Sequence, residues 1–110
     1  MKKVAFFDID GTLLDCMNGI DRITNRVKKS IKEFQKCGNY AFIASGRPYA
    51  FIVDEILNFG FDGYLLVNGA NVLINDELIY SKPMNKDDIK KFIADFERLN
   101  IQYILQGKKY

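Results

Sequence analysis

The sequence predicts an α/β fold, a three-layer Rossmann-like core with a parallel sheet, and three observations lead there. Short apolar runs at Val4 to Phe7, Tyr40 to Ala44 and Gly63 to Val67 have the length and continuity of strands in a parallel sheet. Segments with apolar residues every three or four positions separate them. Each run also stops abruptly at polar or small residues, which are Asp8, Ser45-Gly46 and Asn68-Gly69. Strand, helix, strand, helix, strand is the order of a sheet built from right-handed crossovers.

The first run is read as a strand buried on both faces that delivers Asp8 at its carboxyl end. A helix should follow, with Asp21 as its N-cap, Ile23, Val27, Ile31 and Phe34 as its apolar stripe, and Gly38 beyond its last turn. The second run leads into Ser45-Gly46-Arg47 and then Pro48, which suits the first turn of a helix carrying Ile52, Val53, Ile56 and Leu57 and ending near Gly60. After Gly69 the pattern changes. Val72 to Ile74 and Leu78 to Tyr80, separated by Asn75-Asp76-Glu77, predict a β-hairpin. Asn85 can cap a helix with Ile89, Phe92, Ile93, Phe96 and Leu99 on one stripe, and Ile101 to Leu105 reads as a further strand. Residues 1–84 are thus assigned to the core, and 85–110 to the beginning of a second α/β unit.

Composition narrows the function. With 110 residues, 48% of them hydrophobic and 14% aromatic, the chain has ample material for a packed core. Its 16 basic and 14 acidic residues are interspersed, so no extended basic face invites nucleic acid or an anionic membrane. No apolar run approaches the roughly 20 residues that cross a bilayer. No secretory leader is evident, and a cytoplasmic enzyme is expected. Cys16 and Cys37 lack metal-ligand spacing and are read as free thiols. The absence of histidine excludes Ser-His and Cys-His nucleophiles within this chain. Acid/base chemistry falls to carboxylates, lysines or tyrosines. Tyr49, Tyr64, Tyr80, Tyr103 and Tyr110 form no stripe and are read as packing residues, and Lys28, Lys29, Lys32 and Lys36 as a solvated helix face.

The chemistry concentrates in Asp8-Ile9-Asp10-Gly11-Thr12-Leu13-Leu14. Two carboxylates two residues apart at a strand end can meet one metal ion and one phosphate if the glycine turns the backbone away at once. A carboxylate attacks phosphorus when the phosphate's charge is offset, a task suited to Mg²⁺. A plain turn or a calcium loop uses similar residues, but an EF-hand loop needs further alternate oxygens and a closing glutamate where Leu13 and Leu14 stand. Ser45-Gly46-Arg47 offers a hydroxyl and backbone N–H groups at a strand end, a cradle for a phosphate oxygen. Taken alone it is better described as an ordinary strand-to-helix turn with a surface arginine. The Arg47 fork suits a phosphate or another anionic group. Asn68-Gly69-Ala70 is by itself a common turn.

Together these segments resemble the haloacid dehalogenase superfamily, in which a hydrophobic strand is followed by DxDGT. Ala44-Ser45-Gly46-Arg47-Pro48-Tyr49 and Asn68-Gly69-Ala70 resemble its Cof-like, type IIB capped phosphatases. The resemblance implies hydrolysis of a phosphomonoester, with Asp8 as the nucleophile that becomes an aspartyl phosphate and Asp10 as the general acid. It implies Mg²⁺ held by Asp8 and by the Asp10 carbonyl. It also implies phosphate or substrate contacts from Gly11, Thr12, Ser45, Gly46, Arg47 and Asn68, and a turn-supporting role for Thr12. The implied substrate is a small phosphorylated metabolite: a sugar phosphate, a nucleotide or a phosphorylated cofactor. A phosphomutase on the same scaffold and a non-catalytic binding or assembly fragment are the rival readings.

Members of this subclass insert an α/β cap after the third strand, then return to the core for a lysine and an acidic motif resembling GDGxND. Neither is found before Tyr110. The 110 residues alone are therefore expected to bind metal weakly and to turn over little or not at all, with the first strand at a sheet edge open to self-association.

Overall fold

The computed structural model describes residues 1–107. Its single sheet has five strands in the order β1 (Val4–Phe7), β2 (Tyr40–Ala44), β3 (Gly63–Leu66), β4 (Asn71–Ile74) and β5 (Glu77–Ser81). The first three run parallel and the last two return antiparallel, so the α/β expectation is met with a mixed sheet. The hairpin turns at Asn75 and Asp76, both with positive φ, as the tightest two-residue connection requires.

Helix α1 (Asn25–Lys36) crosses from β1 to β2. Its N-cap is Thr24, whose hydroxyl accepts the Val27 N–H, rather than the expected Asp21. Ile23 accounts for the shift: it is buried in the core, which holds the lead-in segment out of the helix. Gly38 follows the helix with φ +84°, the left-handed exit its sequence position predicts.

The second crossover differs more. Instead of one helix from Pro48 to Gly60 there is a 3₁₀ turn at Tyr49–Phe51 and then α2 (Asp54–Leu57), a single turn. Ile52 and Val53 are extended between them. The β-branched pair is costly to hold in a helix, and the extended backbone lets Ile52 drop into the core.

α1 and the α2 segment lie side by side. Lys28 Nζ meets Glu55 Oε1 at 2.7 Å, and Lys32 Nζ donates to the Phe59 carbonyl while covering its ring. Beneath them Ile31, Ile43, Ile56, Phe61 and Tyr64 form one apolar cluster with Ile9, Leu13 and Leu14. The Tyr64 hydroxyl is pushed up to about 12, chiefly by burial and then by Asp76 and Tyr49, which removes it from acid/base work near neutrality.

The opposite sheet face is open among the described residues. Val4 and Phe6 are exposed, so β1 is not buried on both faces as its apolar run suggested. Among the described residues nothing covers these apolar side chains, and β1 and β5 are the edge strands. On that face Phe42 packs across Gly63, where a side chain would meet the Phe42 ring at 2.8 Å and the Leu73 carbonyl at 2.7 Å.

Beyond the hairpin, α3 (Lys86–Arg98) is capped by Asn85, whose Oδ1 accepts the Asp87 N–H at 2.8 Å. The helix buries none of its residues. Ile101 to Leu105 is not a strand. The Ile101 N–H closes back onto the Phe96 carbonyl, Asn100 takes φ +56°, and Tyr103 packs against Phe96. An isolated strand without a partner has nothing to pair with. Tyr110 and the end of the 85–110 unit lie outside the described residues.

Candidate active site

The three parallel strands all end on one side of the sheet, and their tips carry the polar residues. Asp8 leaves β1, Ser45 leaves β2, and Asn68 follows β3 by two residues. A cleft of about 410 Å³ lies between them, lined by Asp8, Ala44, Ser45, Gly46, Leu65, Asn68 and Gly69. The crevice beyond the carboxyl ends of parallel strands is where α/β sheets bind ligands.

Asp8 is exposed, while the next residue, Ile9, is fully buried. Because Ile9 is anchored in the core, the aspartates on either side of it are both turned outward. The Ile9 carbonyl then collects the amides of Thr12, Leu13 and Leu14, and Gly11, with φ +79°, donates to the Leu14 carbonyl at 2.7 Å. Leu13 and Leu14 fold under into the core. Asp8 Oδ1 accepts the Ile9 N–H at 2.8 Å, which leaves Oδ2 available to the cleft.

Ser45 is buried. Its N–H donates to the Leu65 carbonyl, and its hydroxyl accepts the Arg47 N–H at 3.0 Å. The loops after β2 and β3 are stitched together by Asn68 N–H to the Ser45 carbonyl and Val67 N–H to the Arg47 carbonyl. Holding that register forces Val67 and Asn68 into left-handed backbone, φ +51° and +54°. Asn tolerates this conformation, whereas a β-branched valine there is strained, as residues at functional sites often are. The Asn68 amide lies over Gly46, so close that a Cβ there would meet Oδ1 at 3.1 Å.

The structure thus gathers Asp8, Ser45, Gly46 and Asn68 into one cleft. Gly11 and Thr12 do not line it, and their amides are spent inside the turn. Asp10 and Arg47 stand beside the cleft, locked to each other. Arg47 Nε donates to Asp10 Oδ2 at 2.9 Å and Nη2 to Oδ1 at 2.5 Å, while Nη1 reaches the Phe51 carbonyl at 2.9 Å. Nothing in the spacing of residues 10 and 47 announced this pair.

The Arg47 hydrogen bonds hold the Asp10 carboxyl below its ordinary value of 3.8, against an opposing push from desolvation, and the guanidinium's charge adds to the lowering. The native state therefore prefers the ionised carboxylate. Its stabilisation is fully present above the ordinary value and is lost as pH falls through the lowered one. With side-chain exposures of 25% for Arg47 and 60% for Asp10, that stabilisation is about 1 kcal/mol at most. Arg47→Ala is expected to return the Asp10 titration, followed by carboxyl ¹³C NMR, to the ordinary carboxylate range. An unchanged midpoint would mean that the pair does not persist in solution.

A divalent cation finds a partial donor set. Among the described residues no group of three acidic, histidine or cysteine side chains converges. The Asp8 carboxylate suits a hard cation, and the Asp10 carbonyl takes none of the turn's amide hydrogen bonds. These two oxygens fit Mg²⁺, which keeps several waters and commonly shares a site with phosphate.

A family model described as haloacid dehalogenase-like hydrolase matches residues 5–110. YkrA of Bacillus subtilis (strain 168), named as a candidate phosphatase, is 36% identical over 92 residues, which are 83% of this chain and 34% of YkrA. Among solved structures, the subclass IIB sugar phosphatase BT4131 superposes with a TM-score of 0.73 at 32% identity, over 90% of this chain and 38% of that one. BT1666 from Bacteroides thetaiotaomicron, a phosphatase of the same superfamily, gives 0.78 at 26% identity, over 91% of this chain and 37% of its own. The chain therefore spans little more than a third of the length of these relatives.

Proposed function

Since the chain belongs to the haloacid dehalogenase-like hydrolase family, we propose that Asp8 is the nucleophile of a Mg²⁺-dependent phosphomonoester hydrolysis that proceeds through an aspartyl phosphate. The observation that carries the reading is the cleft in which the Asp8 carboxylate faces Ser45 and Asn68 from neighbouring strand tips.

Asp8 Oδ2 attacks phosphorus as the bond to the leaving oxygen breaks, and Asp10, entering this step as the carboxylic acid, gives that oxygen its proton and is left as the carboxylate. Water then attacks the phosphorus of the aspartyl phosphate, Asp10 takes up the proton, and inorganic phosphate leaves Asp8 free. Ser45, Gly46 and Asn68 cradle the phosphoryl oxygens, and the Ile9 N–H fixes the rotamer of the attacking carboxylate. Mg²⁺, when bound by Asp8 and the Asp10 carbonyl, offsets the negative charge that would otherwise repel the nucleophile.

The substrate is a small phosphorylated metabolite. BT4131 is a sugar phosphatase, which favours a sugar phosphate as the first compound to assay. Weak or absent turnover by residues 1–110 alone, binding at the open β1 edge by a second copy, and a core–cap boundary at 84/85 belong to the same proposal. Incubating the protein with Mg²⁺ and a sugar phosphate, and following both inorganic phosphate and isomerised sugar, is the test. Phosphate release supports hydrolysis. An isomer without phosphate assigns a mutase, and neither product from a folded full-length protein assigns a binding role.

A further inference from the structure

The chemistry proposed for Asp10 and the arrangement seen for Asp10 do not coincide. Both of its carboxylate oxygens are occupied by Arg47, and all three guanidinium nitrogens of Arg47 are committed, two to Asp10 and one to the Phe51 carbonyl. In this state the fork faces Asp10, and neither side chain lines the neighbouring cleft.

We propose that the Asp10–Arg47 pair is a latch on the free site, opened when the phosphate of the substrate takes the guanidinium from Asp10. The proposal rests on the phosphatase reading for the identity of the ligand. Its geometry comes from the two loops alone. Arg47 is held at its backbone by the Ser45 hydroxyl on one side and by the Val67 N–H on the other, so its Cα is fixed one residue beyond the cleft-lining Gly46. From that fixed root only the side chain has to swing.

The competition favours the phosphate. Asp10 offers one negative charge, and its side chain is 60% exposed, a setting in which an ion pair contributes little and exchanges readily. A phosphate dianion presents two charges and the same bidentate geometry for the fork. Release also frees both Asp10 oxygens at the moment the substrate is in place.

The test is a double-mutant cycle on phosphate affinity, using the full chain with Mg²⁺ and inorganic phosphate and NMR detection of the Arg47 Nε–H and the Asp10 carboxyl carbon. Both signals are expected to move together with one midpoint. Asp10→Asn should tighten phosphate binding roughly twofold to fivefold, the size expected when a weak exposed competitor is removed. In an Arg47→Ala background that gain should vanish, which separates the latch from simple relief of charge repulsion. Phosphate binding that leaves the Arg47 and Asp10 signals unmoved would overturn the latch. So would an equal gain from Asp10→Asn with and without Arg47, or no phosphate binding at all. Failure of the phosphatase reading would show separately, as turnover indifferent to Asp8.

Discussion

Asp8→Asn is expected to lower phosphomonoester turnover by about 10³-fold or more, while leaving the melting temperature within a few degrees of the parent. The amide is nearly isosteric and can still accept the Ile9 N–H, so the turn after β1 should survive. What is lost is the charged oxygen proposed to form the bond to phosphorus, and no other carboxylate lines the cleft among the described residues. The remaining polar side chains there, Ser45 and Asn68, are uncharged, and the chain has no histidine to activate the Ser45 hydroxyl. Steady-state phosphate release by the full-length protein, with circular dichroism as the fold control, checks this. Retention of more than about a tenth of the activity would remove Asp8 from the nucleophile's place.

Ile43→Ala should have the largest effect on stability, about 2–5 kcal/mol. Ile43 lies in β2, opposite Phe7 on one side and Tyr64 on the other, with no solvent exposure. Truncation would leave a cavity between the sheet and the two helices that neither neighbour can fill without breaking strand register. Domains of this size are stable by about 5–15 kcal/mol, so the variant should unfold at markedly lower urea. A loss below about 1 kcal/mol would show that the sheet and helices are loosely packed at this point.

The two predictions draw on different levels of information. The place of Asp8 at a strand tip was legible because it is local: a short apolar run ending in two aspartates and a glycine constrains strand, turn and charge within seven residues. Ser45 and Asn68 were legible as strand endings and gained meaning from their resemblance to a known pattern. The hairpin and the Asn85 cap followed from turn and cap chemistry, which depends on immediate neighbours. By contrast, the long second helix failed. Ile52 and Val53 have helical spacing, but the core beneath β2 and β3 drew Ile52 inward and broke the helix in two. The burial of β1 on both faces failed for a related reason, since an apolar run records what a strand can bury and not what covers it. Gly11 and Thr12 carry the motif's shape, but their amides are consumed in making it.

By itself the sequence determined the three parallel strands, the first crossover helix, the hairpin and the polar residues at the strand tips, because these depend on residue types within a few positions of one another. Only the tertiary structure decided that Arg47 is bound to Asp10 rather than turned to the cleft, and that Val67 bears strain to keep Asn68 over Gly46. Those arrangements join residues 20 or more positions apart, and a charge on one loop finds its partner on another only when the sheet has brought both strand ends to the same edge.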